Sequence, residues 1–223
     1  MRDYFHRQIQ LWGEERQQNL QHKEIAIIGS GGLGCSLGIA LGSSGIGTIH
    51  LVDFDRVEIH NIHRQIAFTK ADVGRYKCEA LATHIASRSN FVRPIAHTCD
   101  FDTFAQKEIR PDLIIDATDN LPTRAKIDQY AKSIDRPWLY GSVEAWHGQV
   151  CFFDKSDFSA FNISDKTPAG IAAPIVMHIA SLQANLALRF LADLPIQKDL
   201  LYYLYFDDQG ALITQKFKMP TSG

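Results

Sequence analysis

Apolar positions in this chain fall into short runs, punctuated by glycine, proline and charge. Ile25-Ala26-Ile27-Ile28 is the first, and it runs into Gly29-Ser30-Gly31-Gly32-Leu33-Gly34. Further runs span Thr48 to Asp53, Val92 to His97, Leu113 to Ala117 and Trp138 to Gly141. Short continuous apolar runs of this kind suit strands buried on both faces. Helical spacing separates them. Residues 76–88 repeat apolar positions at Ala80, Leu81, Ile85 and Ala86. Asp119-Asn120-Leu121-Pro122 opens another helix, with proline early, where its missing N–H goes unused. Thr69 with Asp72 three residues on reads as a capping box. Ahead of all this, Tyr4 to Leu20 reads as one polar helix with Ile9, Leu11 and Trp12 on its apolar side.

The rhythm changes further along. Gln149 to Phe153 reads as a strand, Asp154 to Ala173 as a loop, and Pro174 to Leu194 as an amphipathic helix. Leu200 to Phe206 and Leu212 to Phe217 flank Asp207-Asp208-Gln209-Gly210, a hairpin signal. The expected fold is α/β, a Rossmann-like mixed sheet with a parallel nucleotide-binding part and C-terminal antiparallel strands. Without repeats or a linker, residues 1–223 read as a single domain. It comprises an N-terminal helix (4–20), a nucleotide-binding part (24–142) and a C-terminal helix and hairpin (149–218).

Composition narrows the function classes. Apolar residues make up 45%, enough for a sizeable core, and the net charge is −2. No basic block suggests nucleic acid. The start lacks the apolar core of a signal peptide. The longest apolar candidate, Ile171 to Leu194, is broken by Pro174, His178, Gln183, Asn185 and Arg189. The expectation is a cytoplasmic protein away from membranes. Cys35, Cys78, Cys99 and Cys151 form no CxxC pair, so no zinc site is expected. Cys35 and Cys151 read as buried, inert thiols.

The chemistry concentrates between Glu24 and Gln65. Glycines between a strand and a helix let backbone N–H groups approach phosphate, and the helix N-terminus adds partial positive charge. Gly29, Gly31 and Gly34 fit that fingerprint, Gly32 adds freedom, and Asp53 ends the next strand where a ribose-binding acid belongs. Glycine also serves tight turns and close packing. Asn61 and Arg64 follow just past the acid, where a phosphate chain would lie. That favours chemistry on ATP over hydride transfer by an NAD-dependent oxidoreductase. Plainer roles stay open for single residues. Asp53 or Asp119 could cap a turn or helix, a lone Arg7 or Lys77 could be solvated, and His60 and His63 could be a surface pair rather than metal ligands.

Five motifs, in order, resemble the ThiF/MoeB/HesA family, bacterial relatives of ubiquitin-activating enzymes. They are Tyr4-Phe5-His6-Arg7-Gln8-Ile9, Ile27 to Gly34, Asp53 to Glu58 continuing through Asn61-Ile62-His63-Arg64-Gln65, Ala71 to Lys77, and Asp116-Ala117-Thr118-Asp119-Asn120. The resemblance covers nearly the whole chain. It implies that ATP binds with Mg²⁺ and is attacked at the α-phosphate by the C-terminal carboxylate of a small ubiquitin-like sulfur-carrier protein ending in Gly-Gly. An acyl adenylate and pyrophosphate result, within thiamin or molybdopterin synthesis. On that resemblance Asp53 holds ribose, Asn61 and Arg64 reach phosphate, and Lys77 supplies a point charge. Asp119 holds Mg²⁺, and Asp55 and Gln65 complete the nucleotide contacts. Arg7 acts on the other subunit's site, which implies a homodimer. The family's paired CxxC zinc motif is absent, and so is a cysteine between Asp154 and Pro168. Adenylation without a covalent thioester is therefore expected, with any sulfur transfer left to a separate sulfurtransferase. A scaffold without chemistry, or a relative that adenylates a modified tRNA base, are the other readings.

Overall fold

The structure, a computed structural model, describes residues 1–161 and 170–221. Helices α1 (His6–Trp12) and α2 (Glu14–Leu20) lead into β1 (Glu24–Ile28), α3 (Gly32–Gly42) and β2 (Thr48–Val52). Then come α4 (Lys77–Arg88), β3 (Arg93–His97), α5 (Phe101–Ala105), β4 (Leu113–Asp116) and α6 (Leu121–Ser133). The chain continues through β5 (Trp138–Glu144), β6 (His147–Phe153), α7 (Ala173–Leu191), β7 (Leu200–Phe206) and β8 (Leu212–Lys218).

The eight strands among the described residues join one sheet, ordered β3-β2-β1-β4-β5-β6-β7-β8. β3, β2, β1, β4 and β5 are parallel neighbours, and β5 to β8 pair antiparallel. The mixed sheet expected from the apolar runs is therefore the one observed. The strand order reverses between β1 and β4, a switch point that opens a crevice beyond the strands' carboxyl ends.

Both faces of the parallel half are covered. Leu37 and Leu41 of α3, Leu81 and Ile85 of α4, and Ile179 and Ala187 of α7 pack on one face. Phe104 of α5 and Ile127 of α6 pack on the other, beside Trp138 and Phe153. The indole of Trp138 stacks on Phe153, with ring centroids 4.6 Å apart. This burial explains why the strands read as unbroken apolar runs.

Three expectations need correction. The single helix over 4–20 is two, broken at Gly13 (φ 88°), a backbone state that side chains with Cβ rarely adopt. Tertiary anchors hold the elbow. Gln8 and the fully buried Gln17 both donate to the Ser44 carbonyl, at 2.9 and 3.0 Å. Trp12 donates to Gln17 Oε1 at 3.1 Å. Leu11, placed on the apolar side, is 75% exposed, so only Trp12 of that side is fully in the core. Between β3 and β4 stands α5, which hydrophobic spacing did not signal. Asp100 caps it by accepting from Thr103 N–H at 2.9 Å. The Thr69–Asp72 capping box is present as expected. Part of the loop expected over Asp154 to Ala173, residues 162–169, lies outside the described residues.

Candidate functional site

A cleft of about 810 Å³ opens at the switch point. That is within the range of small-molecule sites. Gly29, Gly31 and Gly32 of the glycine loop line it, as do Asp53 and Asp55 after β2. Asn61, Arg64 and Gln65 line it from the following turn, Lys77 from the start of α4, and Asp119 from the loop after β4. Residues spread over some ninety positions of sequence thus converge on one opening. Gly34 and Arg7 are not part of its lining.

The glycines divide by role. A Cβ on Gly34 would lie 2.1 Å from the Gly29 carbonyl oxygen, and one on Gly29 (φ 98°) would lie 2.7 Å from the Ala117 carbonyl oxygen. Both are required by close packing of loop, helix and β4. Gly34, expected among the nucleotide contacts, is demanded by packing and lies outside the cleft lining. A Cβ on Gly31 would meet nothing nearer than Gln65 Nε2, at 3.7 Å. Gly31 is where the loop backbone lies open to a ligand.

Asp53 sits between loop and cleft. Its carboxylate accepts from Ser30 N–H at 2.6 Å and Asp55 N–H at 2.8 Å. Burial raises its pKa, opposed by those two N–H bonds and by the Lys77 charge. Lys77 is buried and bonds Asp55 Oδ2 at 2.8 Å. It occupies the first position of α4, where a positive charge opposes the helix dipole. The Asp55 carboxylate offsets that, and an anion in the cleft would add to it. Arg64 Nη1 contacts the His60 carbonyl at 3.3 Å and His63 Nε2 at 2.9 Å. Asn61 Oδ1 accepts from Glu58 N–H at 3.1 Å, so it shapes its own turn as well as facing the cleft. Gln65 is buried and its Oε1 has no partner among the described residues. A buried polar atom left unpaired is costly, and a ligand N–H or O–H would satisfy it. Asn120, not Asp119, caps α6, accepting from Thr123 N–H at 2.9 Å. Asp119 is exposed in the cleft, leaving its carboxylate available to a cation.

This set fits a nucleotide triphosphate. An open glycine turn at a helix N-terminus, the cations Lys77 and Arg64, an unpaired buried acceptor and the exposed Asp119 carboxylate are groups that phosphates, ribose and a bound cation need. Mg²⁺ is commonly held by one or two carboxylates plus phosphate oxygens. Among the described residues no three His, Cys, Asp or Glu side chains gather as a metal site of their own. His60 lies 3.2 Å from Glu58 Oε2, and His63 touches Arg64, so the two histidines face different partners.

One group escaped sequence reasoning. Arg124 on α6 is 5% exposed and lines the cleft. Its Nε bonds Asp116 Oδ2 at 3.0 Å, and its Nη2 bonds the carbonyls of Thr118 at 2.7 Å and Gly141 at 3.2 Å. Asp116 is fully buried; burial pushes its carboxyl up, and Arg124 and Thr118 oppose that. The available signal was spacing: Arg124, Ile127 and Ala131 fall on one helical face, which places an arginine on the inward side of α6.

The model of the ThiF family matches residues 5–222 of the chain. The chain belongs to the ThiF family. Among its relatives is the adenylyltransferase and sulfurtransferase MOCS3 of Caenorhabditis briggsae, 31% identical over 198 residues, covering 82% of this chain and 49% of that protein. The sulfur carrier protein adenylyltransferase of Thermus thermophilus is 35% identical over 155 residues, covering 68% of this chain and 57% of that one. The chain thus spans about half the length of these curated relatives. Among solved structures, PaaA superposes with a TM-score of 0.84 at 21% identity, covering 98% of this chain and 73% of that one. MccB of E. coli with ATP gives 0.81 at 20% identity, covering 93% and 66%. At these identities the superpositions establish a shared fold.

Two further features of this ThiF-family chain bear on chemistry. Arg7 is exposed on α1, its Nη1 3.3 Å from Gln10 Oε1. Cys35, Cys78 and Cys151 are buried, and burial raises the pKa of each. Cys99 lines the cleft, partly exposed, and burial raises its thiol as well. A thiol held protonated is a poor nucleophile. No helix among the described residues is long and apolar enough to cross a membrane.

Proposed function

We propose that this chain is an ATP-dependent adenylyltransferase acting on the C-terminal carboxylate of a small ubiquitin-like sulfur-carrier protein ending in Gly-Gly. The convergence of Lys77, Arg64 and Asp119 on the open turn at Gly31 carries this reading. Adenylation asks an enzyme to gather anions and to stabilise charge growing on phosphate oxygens. Positioning and preorganised electrostatics meet most of that demand. Asp53 and the unpaired Gln65 Oε1 hold the nucleoside end. Asn61, Arg64 and Lys77 face the phosphates, Asp55 aims the Lys77 ammonium, and Asp119 holds Mg²⁺ with the phosphates. The carrier carboxylate attacks the α-phosphate, the bond to pyrophosphate breaks, and a mixed anhydride with AMP remains.

In this reading the carrier belongs to thiamin or molybdopterin synthesis. The active form is a homodimer in which Arg7 reaches its partner's cleft, and no thioester forms on this chain. Sulfur transfer falls to a separate sulfurtransferase. The relatives named as adenylyltransferases, one of them for a sulfur carrier protein, support the reaction class.

The test is ATP–pyrophosphate exchange with candidate carriers ending in Gly-Gly. Exchange should depend on a carrier and on Mg²⁺, and Lys77→Ala or Arg64→Ala should lower it by roughly 10²–10³-fold while the fold persists. Binding of NAD in place of ATP would refute the reading. So would exchange that ignores both substitutions.

A further inference from the structure

Arg124 is held by three acceptors from three places. They are the Asp116 carboxylate at the end of β4, the Thr118 carbonyl beyond it, and the Gly141 carbonyl on β5. Thr118 is gripped from its other side too. Its N–H and hydroxyl donate to Asp116 Oδ1 at 2.9 and 2.7 Å. Gln183 of α7, fully buried, donates to the Asp116 carbonyl at 2.8 Å. Two residues past Thr118, Asn120 is fixed as the cap of α6. The backbone is therefore pinned before and after Asp119, while the Asp119 side chain stays exposed in the cleft.

A buried ion pair is weak evidence of a stability role, since a well-packed apolar pair often serves as well. What an apolar pair cannot do is hydrogen-bond two carbonyls and a carboxylate at once. Arginine's rigid fork does so; lysine's single ammonium does not. We propose that Arg124 is a positioning residue that fixes Asp119 for the cation accompanying ATP. The proposal rests on the adenylyltransferase reading above. Arg124 acts through Thr118 and need not touch the cation.

The test is calorimetric titration of the full chain with ATP, once in EDTA and once with Mg²⁺. Two variants serve: Arg124→Lys, which keeps the charge opposite Asp116, and the pair Asp116→Asn with Arg124→Gln, which keeps neutral hydrogen bonding. Each should lose roughly 10–100-fold of the affinity gained on adding Mg²⁺. Affinity for metal-free ATP should stay close to wild type, which a general loosening of the cleft would not allow. A wild-type Mg²⁺ gain in both folded variants overturns the proposal. Failure of both to fold overturns it too, by making Arg124 a stability residue. If wild-type protein itself binds ATP without any gain from Mg²⁺, the adenylyltransferase reading fails first.

Discussion

Two polar clusters are buried on the same face of the sheet, and they are built on opposite principles. Beside the cleft, Asp116 and Arg124 form a fixed ion pair whose hydrogen bonds reach the backbone of the site. At the β1–β2–β3 edge, Lys107, His97, His50 and Glu24 form a chain. Lys107 Nζ lies 3.2 Å from His97 Nδ1, His97 Nε2 lies 2.8 Å from His50 Nδ1, and His50 Nε2 lies 2.5 Å from Glu24 Oε1. An ammonium only donates and a carboxylate only accepts. The direction is thereby set: each imidazole accepts at Nδ1 and donates at Nε2. Any added proton breaks a link. The cleft cluster is thus an ion pair tied into the backbone, whereas the edge cluster is a chain poised on proton count. Rigidity has been put where a ligand must be met. The edge still touches the site, since the His97 carbonyl accepts the Asp53 N–H at 3.1 Å.

Removing one partner from the fixed pair should have the largest effect. Arg124→Met leaves Asp116 buried without its counter-charge and should cost about 3–5 kcal/mol of stability at neutral pH. Urea unfolding measures it. A loss below about 1 kcal/mol would mean that water reaches Asp116, and the contrast between the clusters would collapse.

The edge cluster should announce itself through pH. Burial, then His50, then Lys107 hold His97 down at about 4, against an ordinary value of roughly 6.5. Between those values the unfolded chain binds more protons than the folded one. Stability is therefore full above pH ~6.5 and falls as pH drops toward 4. The whole shift would correspond to roughly 3 kcal/mol. His97 is 9% exposed but abuts the solvent-facing Lys107, so screening reduces the expected loss to about 1–2 kcal/mol. His97→Phe should flatten the slope in that window, whereas Arg124→Lys should leave it unchanged. An identical slope in His97→Phe would assign the pH response elsewhere.

A smaller effect should come from the cap on the helix that carries Arg124. Asn120→Ala removes the bond to Thr123 N–H and should cost about 1 kcal/mol by thermal unfolding. It should also weaken the Mg²⁺ gain in ATP binding, because Asn120 is one of the two pins beside Asp119. If the stability loss appears without any change in that gain, the Arg124 side alone holds the turn.

The same contrast explains what could be read from the sequence. Strands buried on both faces advertise themselves as apolar runs, so the parallel half and the switch point were visible. Asp53 stood out at a strand end and Arg64 just past it, whereas Lys77 and Asp119 came from the family resemblance; all four line the cleft. Arg124 was hidden because an arginine in a helix ordinarily reads as solvated, and one of its partners is a carbonyl seventeen residues away in β5. His50 and His97 were hidden inside strands that look simply apolar. Gly31 and Gly34 are the same letter in one loop, and only the backbone approach at Gly29 separates a ligand-facing position from a packing one. The break at Gly13 depends on Ser44, and the five residues of α5 are too few to show a period.

The smallest expected effect tests the order of causes at the edge. Lys107 is the last of the three influences that lower His97, after burial and His50. Lys107→Met removes a positive charge 3.2 Å from His97 Nδ1 and leaves the imidazole buried against His50 and Phe104. Protonated His97 then no longer faces a second cation, so its titration should move upward. Burial and His50 remain, so it should stop below the ordinary histidine value. Side-chain NMR of His97 across the acid range reads the midpoint directly, and the nitrogen shifts report which ring atom carries the proton in each protein. Wild type should show the proton on Nε2, donated to His50. A midpoint that reaches the ordinary value would make Lys107, not burial, the dominant cause. A proton found on Nδ1 of wild-type His97 would reverse the direction of the chain.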